Sequence, residues 1–203
     1  MKPQLKIKLQ TTDKFIECIS WVALIFLWLI VIVSFKNLPN TIATHFNIAG
    51  TADNYGKKQM IFILPALATI IFAGLTILNN LPHLFNYPTT ITNTNAYEQY
   101  TYATRLIRYL KLIVVVIFAC IVFIIINHAS GITVLGSWFL PLSIILIFTP
   151  IVYFIYKMIS QKLQCIFYNC NCHFTFQLRT TSIEKRIFGL TINTVTNYLK
   201  KHL

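Results

Sequence analysis

Negative charge is nearly missing from this chain. Its 203 residues carry five Asp and Glu against 17 Lys and Arg. Charge of either sign is scarce as well, at 11% of residues, where a soluble domain carries about a quarter. With 56% hydrophobic residues and a mean hydropathy of +0.66, too little polar surface is left to cover a globule in water. These shortages exclude a soluble globular domain and point to a membrane protein. The net charge of +12 then reads as cytoplasmic segments in contact with anionic lipid, not as a nucleic-acid surface. No recognition-helix or zinc-finger spacing accompanies it.

Cysteine is sparse and irregular. Cys18, Cys120, Cys165, Cys170 and Cys172 make an odd count without regular spacing, which argues against a secreted disulfide scaffold. Cys18 and Cys120 lie in or beside apolar runs, where the thiol acts as a small hydrophobe. Cys165, Cys170, Cys172 and His173 are soft ligands, but their C-x4-C-x-C-H spacing fits no common zinc finger. That segment reads as a hydrophobic strand-like stretch with reduced thiols, and neither a metal nor a cofactor is expected.

What is present in quantity is long apolar sequence. About 20 apolar residues cross a hydrocarbon core as a helix. Four segments meet or approach that length: 15–35, 60–78, 109–127 and 138–156. The expected fold is therefore all-α, with four transmembrane helices and a short outer loop holding a small β-hairpin. The first span is too long for a signal-peptide core, and no small-x-small site follows it. Residues 1–14 form a basic N-terminus, 15–157 the membrane domain and 158–203 a tail.

Lys and Arg placement orients the spans. The N-terminus, the segment before the third span and the tail together hold 14 of these residues, against three (Lys36, Lys57 and Lys58) after the first span. Both termini are expected in the cytoplasm of a bacterial inner membrane, with residues 38–58 outside. Trp138, Tyr153 and Tyr156 suit the two interfaces. Pro65, Pro141 and Pro150 fall inside spans and are expected to kink them, with Thr149 re-satisfying a freed carbonyl. No Asp, Glu or Arg lies deep in a span, and Glu17 and Lys111 lie near cytoplasmic ends. That shortage argues against a proton-driven transporter.

Residues 79–108 connect the second and third spans. Pro82 and Pro88 break the first half. Thr92 or Asn95, with Glu98 three residues after Asn95, can cap a helix that continues into the third span. Tyr97, Tyr100, Ala103, Ile107 and Leu110 then form a stripe at helical spacing. Two readings stay open: packing of this stripe, or a surface over Tyr97, Tyr100, Arg105 and Arg108 that docks a cytoplasmic regulator.

The outer loop, "LPNTIATHFNIAGTADNYGKK", is the polar exception. "TIATHFNI" alternates as a strand does. Gly50 and "ADNYG" supply turn chemistry, with Asn54 and Gly56 tolerant of positive φ. His45, Asn47 and Asp53 group polar side chains. One His and one Asp are too few for a structural zinc site, and no Ser or Cys nucleophile is present. No enzyme is expected. The residues either shape the loop or bind a ligand.

Leu38, Pro39, Ile42, His45, Phe46, Asn47, Gly50, Asp53, Tyr55, Gly56 and Lys58 together resemble the signature LPxxIxxHFNxxGxxDxYGxK of a bacterial membrane domain of unknown function. That domain occurs at the N-terminus of SdpI-type immunity proteins and in shorter stand-alone proteins. "FNYP" (Phe85–Pro88), "NAYEQY" (Asn95–Tyr100) and "RLIRYLK" (Arg105–Lys111) resemble the stand-alone branch. The resemblance covers roughly residues 15–157. It implies a sensor or immunity-type role in which the outer loop recognises an envelope peptide and a repressor is held at the membrane. The longer relatives carry an added membrane domain that has no clear counterpart in this chain. The competing expectation, prompted by the span prolines, is a small-solute carrier or channel-like subunit.

In the tail, Ile183, Ile187, Leu190, Val195, Tyr198 and Leu199 fall near one helical face. That pattern predicts a basic amphipathic helix over 183–203 on the inner leaflet. An unselected extension of a shorter reading frame is the other reading of residues 160–203.

Overall fold

The computed structural model describes residues 2–132 and 136–160. The chain divides into two units, Met1–Met158 and Ile159–Leu203. The expected helix over 183–203 and the Cys165, Cys170, Cys172 and His173 group lie outside the described residues.

Among the described residues, four helices are long and apolar enough to cross a membrane, which gives a multi-pass membrane architecture. Helix α1 is Thr11–Ser34. A hairpin of β1 (Thr41–Phe46) and β2 (Ala52–Lys57) follows. A 3-10 turn, Lys58–Phe62, leads into α2, Ile63–Asn79. A second 3-10 turn, Pro82–Leu84, precedes α3, Ala96–Ala129. Helix α4 is Phe139–Ser160. The described chain is thus all-α but for one two-stranded antiparallel sheet.

The apolar stripe of α1 is Ile16, Leu24, Leu27 and Val31, with Ser20 on the same face. These residues turn inward while Val22, Ile25, Phe26, Leu29, Ile32 and Val33 stay exposed. A helix apolar on all sides, buried on one, suits lipid on the other. Both α1 and α2 pack along α3. Leu27 and Val31 meet Ala68 and Phe72 of α2 and Val115, Val122 and Ile125 of α3 in one core, which Leu38, Ile42 and Ile61 extend to the hairpin end. One polar clasp crosses that core. Trp28 Nε1 donates to Thr69 Oγ1 at 3.0 Å, and the Thr69 hydroxyl donates to the Pro65 carbonyl at 2.7 Å. Interhelical bonds of this kind hold membrane helices in register.

Pro141 departs from the expectation of three kinked spans. Pro141 is the third residue of α4, where a helix has no partner for the amide hydrogen anyway, whereas Pro65 lies inside the unbroken helical run Lys58–Asn79, three residues after its 3-10 turn gives way to α2. Pro150 is internal, and the carbonyl it deprives of a helical donor is that of Leu146. The Thr149 hydroxyl donates instead to Ile145 O at 2.7 Å, one residue short of that carbonyl.

Helix α3 holds 34 residues, a rod of about 50 Å. Asn95 occupies its N-cap position, but the expected capping bond is missing. The Asn95 side chain accepts from Thr92 N at 2.8 Å, tying down the preceding turn. The other end closes as a Schellman motif: Ile132 N reaches Asn127 O at 3.0 Å and Gly131 N reaches His128 O at 3.0 Å. Gly131, at φ 82°, supplies the left-handed residue this turn requires.

Candidate functional site

The hairpin is built by its turn. Asn47 N donates to Thr51 O at 2.9 Å, Thr51 N to Asn47 Oδ1 at 3.0 Å and Gly50 N to Asn47 O at 2.9 Å. Gly50 alone among the hairpin residues has positive φ, at 83°. A helical turn closed by a left-handed glycine is a common way to join two strands. The expectation that "ADNYG" turns is corrected: Ala52–Lys57 is β2, and Asn54 and Gly56 are not at positive φ. Gly56 is needed for closeness instead. A Cβ there would lie 2.5 Å from Met60 Sδ and 2.8 Å from Thr44 Cγ2.

Strand register is irregular at two places, between Ala43 and His45 and between His45 and Phe46. These bulge-like shifts redirect side chains. The result is a side-chain contact on the exposed side of the hairpin, His45 Nδ1 to Asp53 Oδ1 at 2.5 Å, with side-chain exposures of 66% and 44%. Asn47 shapes the turn. Tyr55 N donates to Asn54 Oδ1 at 2.9 Å. Lys58 Nζ lies 3.4 Å from Leu38 O and 5.1 Å from the Phe35 ring centroid, tying the start of the 3-10 turn after β2 to the residues just past α1.

His128 in the last turn of α3 anchors the hairpin to the bundle. Its ring meets Phe46 edge-on at 5.6 Å and Tyr55 at 6.2 Å. Sequence reasoning passed over His128 because it closes an apolar run and belongs to no motif. Beside β1 lies a cavity of about 360 Å³, of ligand-pocket size. Ile42, Phe46, Met60, Leu64, Ile125 and Phe139 supply its apolar lining, with Thr44, His45 and Asn47 the polar part. No three His, Cys, Asp or Glu side chains converge among the described residues.

The far end of the bundle carries most of the charge pairing. Arg105 Nε lies 2.8 Å from Asp13 Oδ1, and its guanidinium also reaches Gln10 Oε1. Asp13 Oδ2 accepts Gln10 N at 2.9 Å, closing the first turn of α1. Lys111, 1% exposed, donates to Glu17 and to Thr76 Oγ1 (3.2 Å) and lies 4.4 Å from the Phe72 ring centroid. Arg108 Nε stands 3.7 Å from Glu17 Oε2. Two carboxylates of α1 thus face three cations of α3, with α2 contributing Thr76 and Phe72.

This geometry corrects the expected surface over Tyr97, Tyr100, Arg105 and Arg108. Tyr100 is fully buried, and its hydroxyl donates to Pro3 O at 2.9 Å. Arg108 is buried and Arg105 is committed to Asp13; only Tyr97 projects freely. The stripe packs because residues 2–10 and the 82–88 segment cover it. Lys2 reaches Phe85 O at 2.5 Å, and the Tyr87 ring lies 5.4 Å from that of Tyr100. Burial, aided by Tyr100, pushes the Tyr87 phenol well above its ordinary range, so its hydroxyl stays a neutral donor to Pro82 O at 2.8 Å. The signal for the ion cluster was legible: two of five acidic residues stand four apart at the start of α1, and three cations stand three apart on α3.

An uncharacterized protein of Archaeoglobus fulgidus is 30% identical to this chain over 93 residues, which cover 42% of this chain and 51% of that protein. The chain therefore spans about half the length of the relative it matches. No solved structure matches. Residues 22–69, from within α1 through the hairpin into α2, are similar to the family described as Domain of unknown function (DUF1648), so the matched part is the one that carries His45, Asn47, Gly50, Asp53 and Lys58.

Proposed function

We propose that this chain is a non-enzymatic, SdpI-like sensor or immunity-type membrane protein that recognises an envelope ligand at its hairpin. Both termini lie in the cytoplasm, and the hairpin faces outward. One observation carries the reading. β1 forms a wall of an apolar cavity that the helix ends complete, and His45, one of its lining residues, stands exposed and in contact with Asp53. Pockets of this composition take an apolar ligand and orient it through a few polar groups. The pair is also too exposed to be needed for folding, since even fully charged pairs at the surface contribute about 0–1 kcal/mol.

The test uses cells that express the chain and are challenged with membrane-active peptides. His45→Ala and Asp53→Ala are expected to abolish protection while membrane insertion and expression stay unchanged. Full protection in both variants removes the hairpin from the mechanism.

A further inference from the structure

We propose that the ligand met at the hairpin is a long-chain amphiphile drawn from the bilayer, with its polar head beside β1 and its chain in a cleft between α1, α3 and α4. This rests on the hairpin being a ligand-binding element. The cleft encloses about 830 Å³, more than the hairpin cavity. Phe26 and Ile30 of α1, Val116 and Phe123 of α3, and Leu142 and Leu146 of α4 form its walls. Ile124 and Phe139 line both cavities, so the two adjoin at those residues.

The polar atoms are distributed one-sidedly. Ser34 ends α1, Asn127 lies in the last turn of α3 and Trp138 precedes α4, so all three gather at the hairpin end of the cleft. Beyond Phe139 come Thr44, His45 and Asn47. Towards the other end the walls are apolar. The Ser143 hydroxyl is already committed to Phe139 O at 2.8 Å, and the Asn127 amide donates to Phe123 O at 2.8 Å.

This gradient selects the occupant. A peptide in the hydrocarbon zone must satisfy its own backbone, and an extended one finds no partners along these walls. A helical one is about 10 Å wide and meets a cleft whose polar groups lie only at its end. An acyl or isoprenyl chain has no polar atom to satisfy there. Left empty, the apolar lining forfeits dispersion contacts that such a chain restores. The head then finds hydrogen-bonding groups at the hairpin end.

The experiment places the full chain in phosphatidylcholine nanodiscs with a diazirine-bearing palmitate and maps the photo-adducts. Adducts are expected to concentrate on residues 116–127 and 139–146. Ala119→Trp, or Leu142→Trp if the first fails to insert, should reduce them about tenfold, as a loss of about 1.4 kcal/mol of chain affinity implies. Unlabelled palmitate should also slow alkylation of Cys120, which lines the cleft. Adducts spread equally over the exposed Ile70 and Ile77 of α2 would show ordinary annular lipid and overturn the proposal. Cleft labelling that arises only when copies are diluted apart would make a second copy the occupant and also overturn it. Even labelling combined with loss of protection in His45→Ala sinks the amphiphile and spares the hairpin reading. Cleft labelling with protection intact in both hairpin variants sinks the hairpin reading, and with it the placement of the head.

Discussion

Arg105 Nε lies 2.8 Å from the carboxylate of Asp13, joining residues 92 positions apart at one end of the bundle. Asp13 is 1% exposed, and its carboxylate meets that partner and the Gln10 amide hydrogen. Removing one member of a buried pair leaves the other uncompensated. Arg105→Ala should destabilise the chain by about 3 kcal/mol. Asp13→Ala should cost at least as much, because the first turn of α1 also loses its cap. Thermal unfolding in detergent measures both. Losses under about 1 kcal/mol would place the pair with ordinary exposed ion pairs.

Lys111 and Glu17 make a sharper case, because Lys111 also meets Thr76 and the face of Phe72. Lys111→Met alone leaves Glu17 facing only the more distant Arg108, at 3.7 Å. It should destabilise by about 3 kcal/mol, whereas Lys111→Met combined with Glu17→Leu should recover most of that loss, as apolar replacement of a buried pair often does. The double-mutant cycle in the same unfolding assay decides. Additive losses would mean that the two side chains act independently.

The glycines of the hairpin separate two physical roles. Gly50 sits at φ 83°, where any Cβ is strained by the backbone itself, so Gly50→Ala should cost about 1 kcal/mol whatever its neighbours do. Gly56 is not at positive φ, and its Cβ would press on the flexible end of Met60 and on Thr44. Gly56→Ala combined with Met60→Ala should therefore recover part of the single-variant loss. The same truncation in the Gly50→Ala background should recover none. Amide exchange across the hairpin reports both, and equal rescue would discard the distinction.

Much of this was legible in the sequence, and what was not has physical causes. The four spans follow from apolar length alone, a signal that no tertiary contact overrides. "TIATHF" alternated and became β1. "ADNYG" misled because Asp, Asn and Gly favour turns locally, while pairing with β1 across a turn held by Asn47 and Gly50 set the conformation. Pro141 looked like a kink because composition shows where apolar sequence begins but not where helical hydrogen bonding does. Whether Tyr100 and Arg105 pack or form a docking surface stayed open because their partners, Pro3 and Asp13, lie over 90 residues away. Local spacing shows each row of charges but not which distant row it meets. His128 joins the site only because α3 ends beneath the hairpin.

The proposed orientation yields the last prediction. Lys36, Lys57 and Lys58 are the basic residues between α1 and α2, against four in residues 1–14 and three from Arg105 to Lys111. Positive charge is retained on the cytoplasmic side. The cluster around Asp13 and Glu17 offsets part of the positive charge of Arg105, Arg108 and Lys111, yet that end keeps its basic excess through Lys2, Lys6, Lys8 and Lys14. Alkaline phosphatase fused after Tyr55 should be active, and a fluorescent protein fused before Met1 should fold and emit. Inserting four lysines between Ala49 and Gly50 should lower phosphatase activity by drawing the hairpin inward. A phosphatase silent at Tyr55 in the unmodified chain would reverse the topology and remove the hairpin from the envelope.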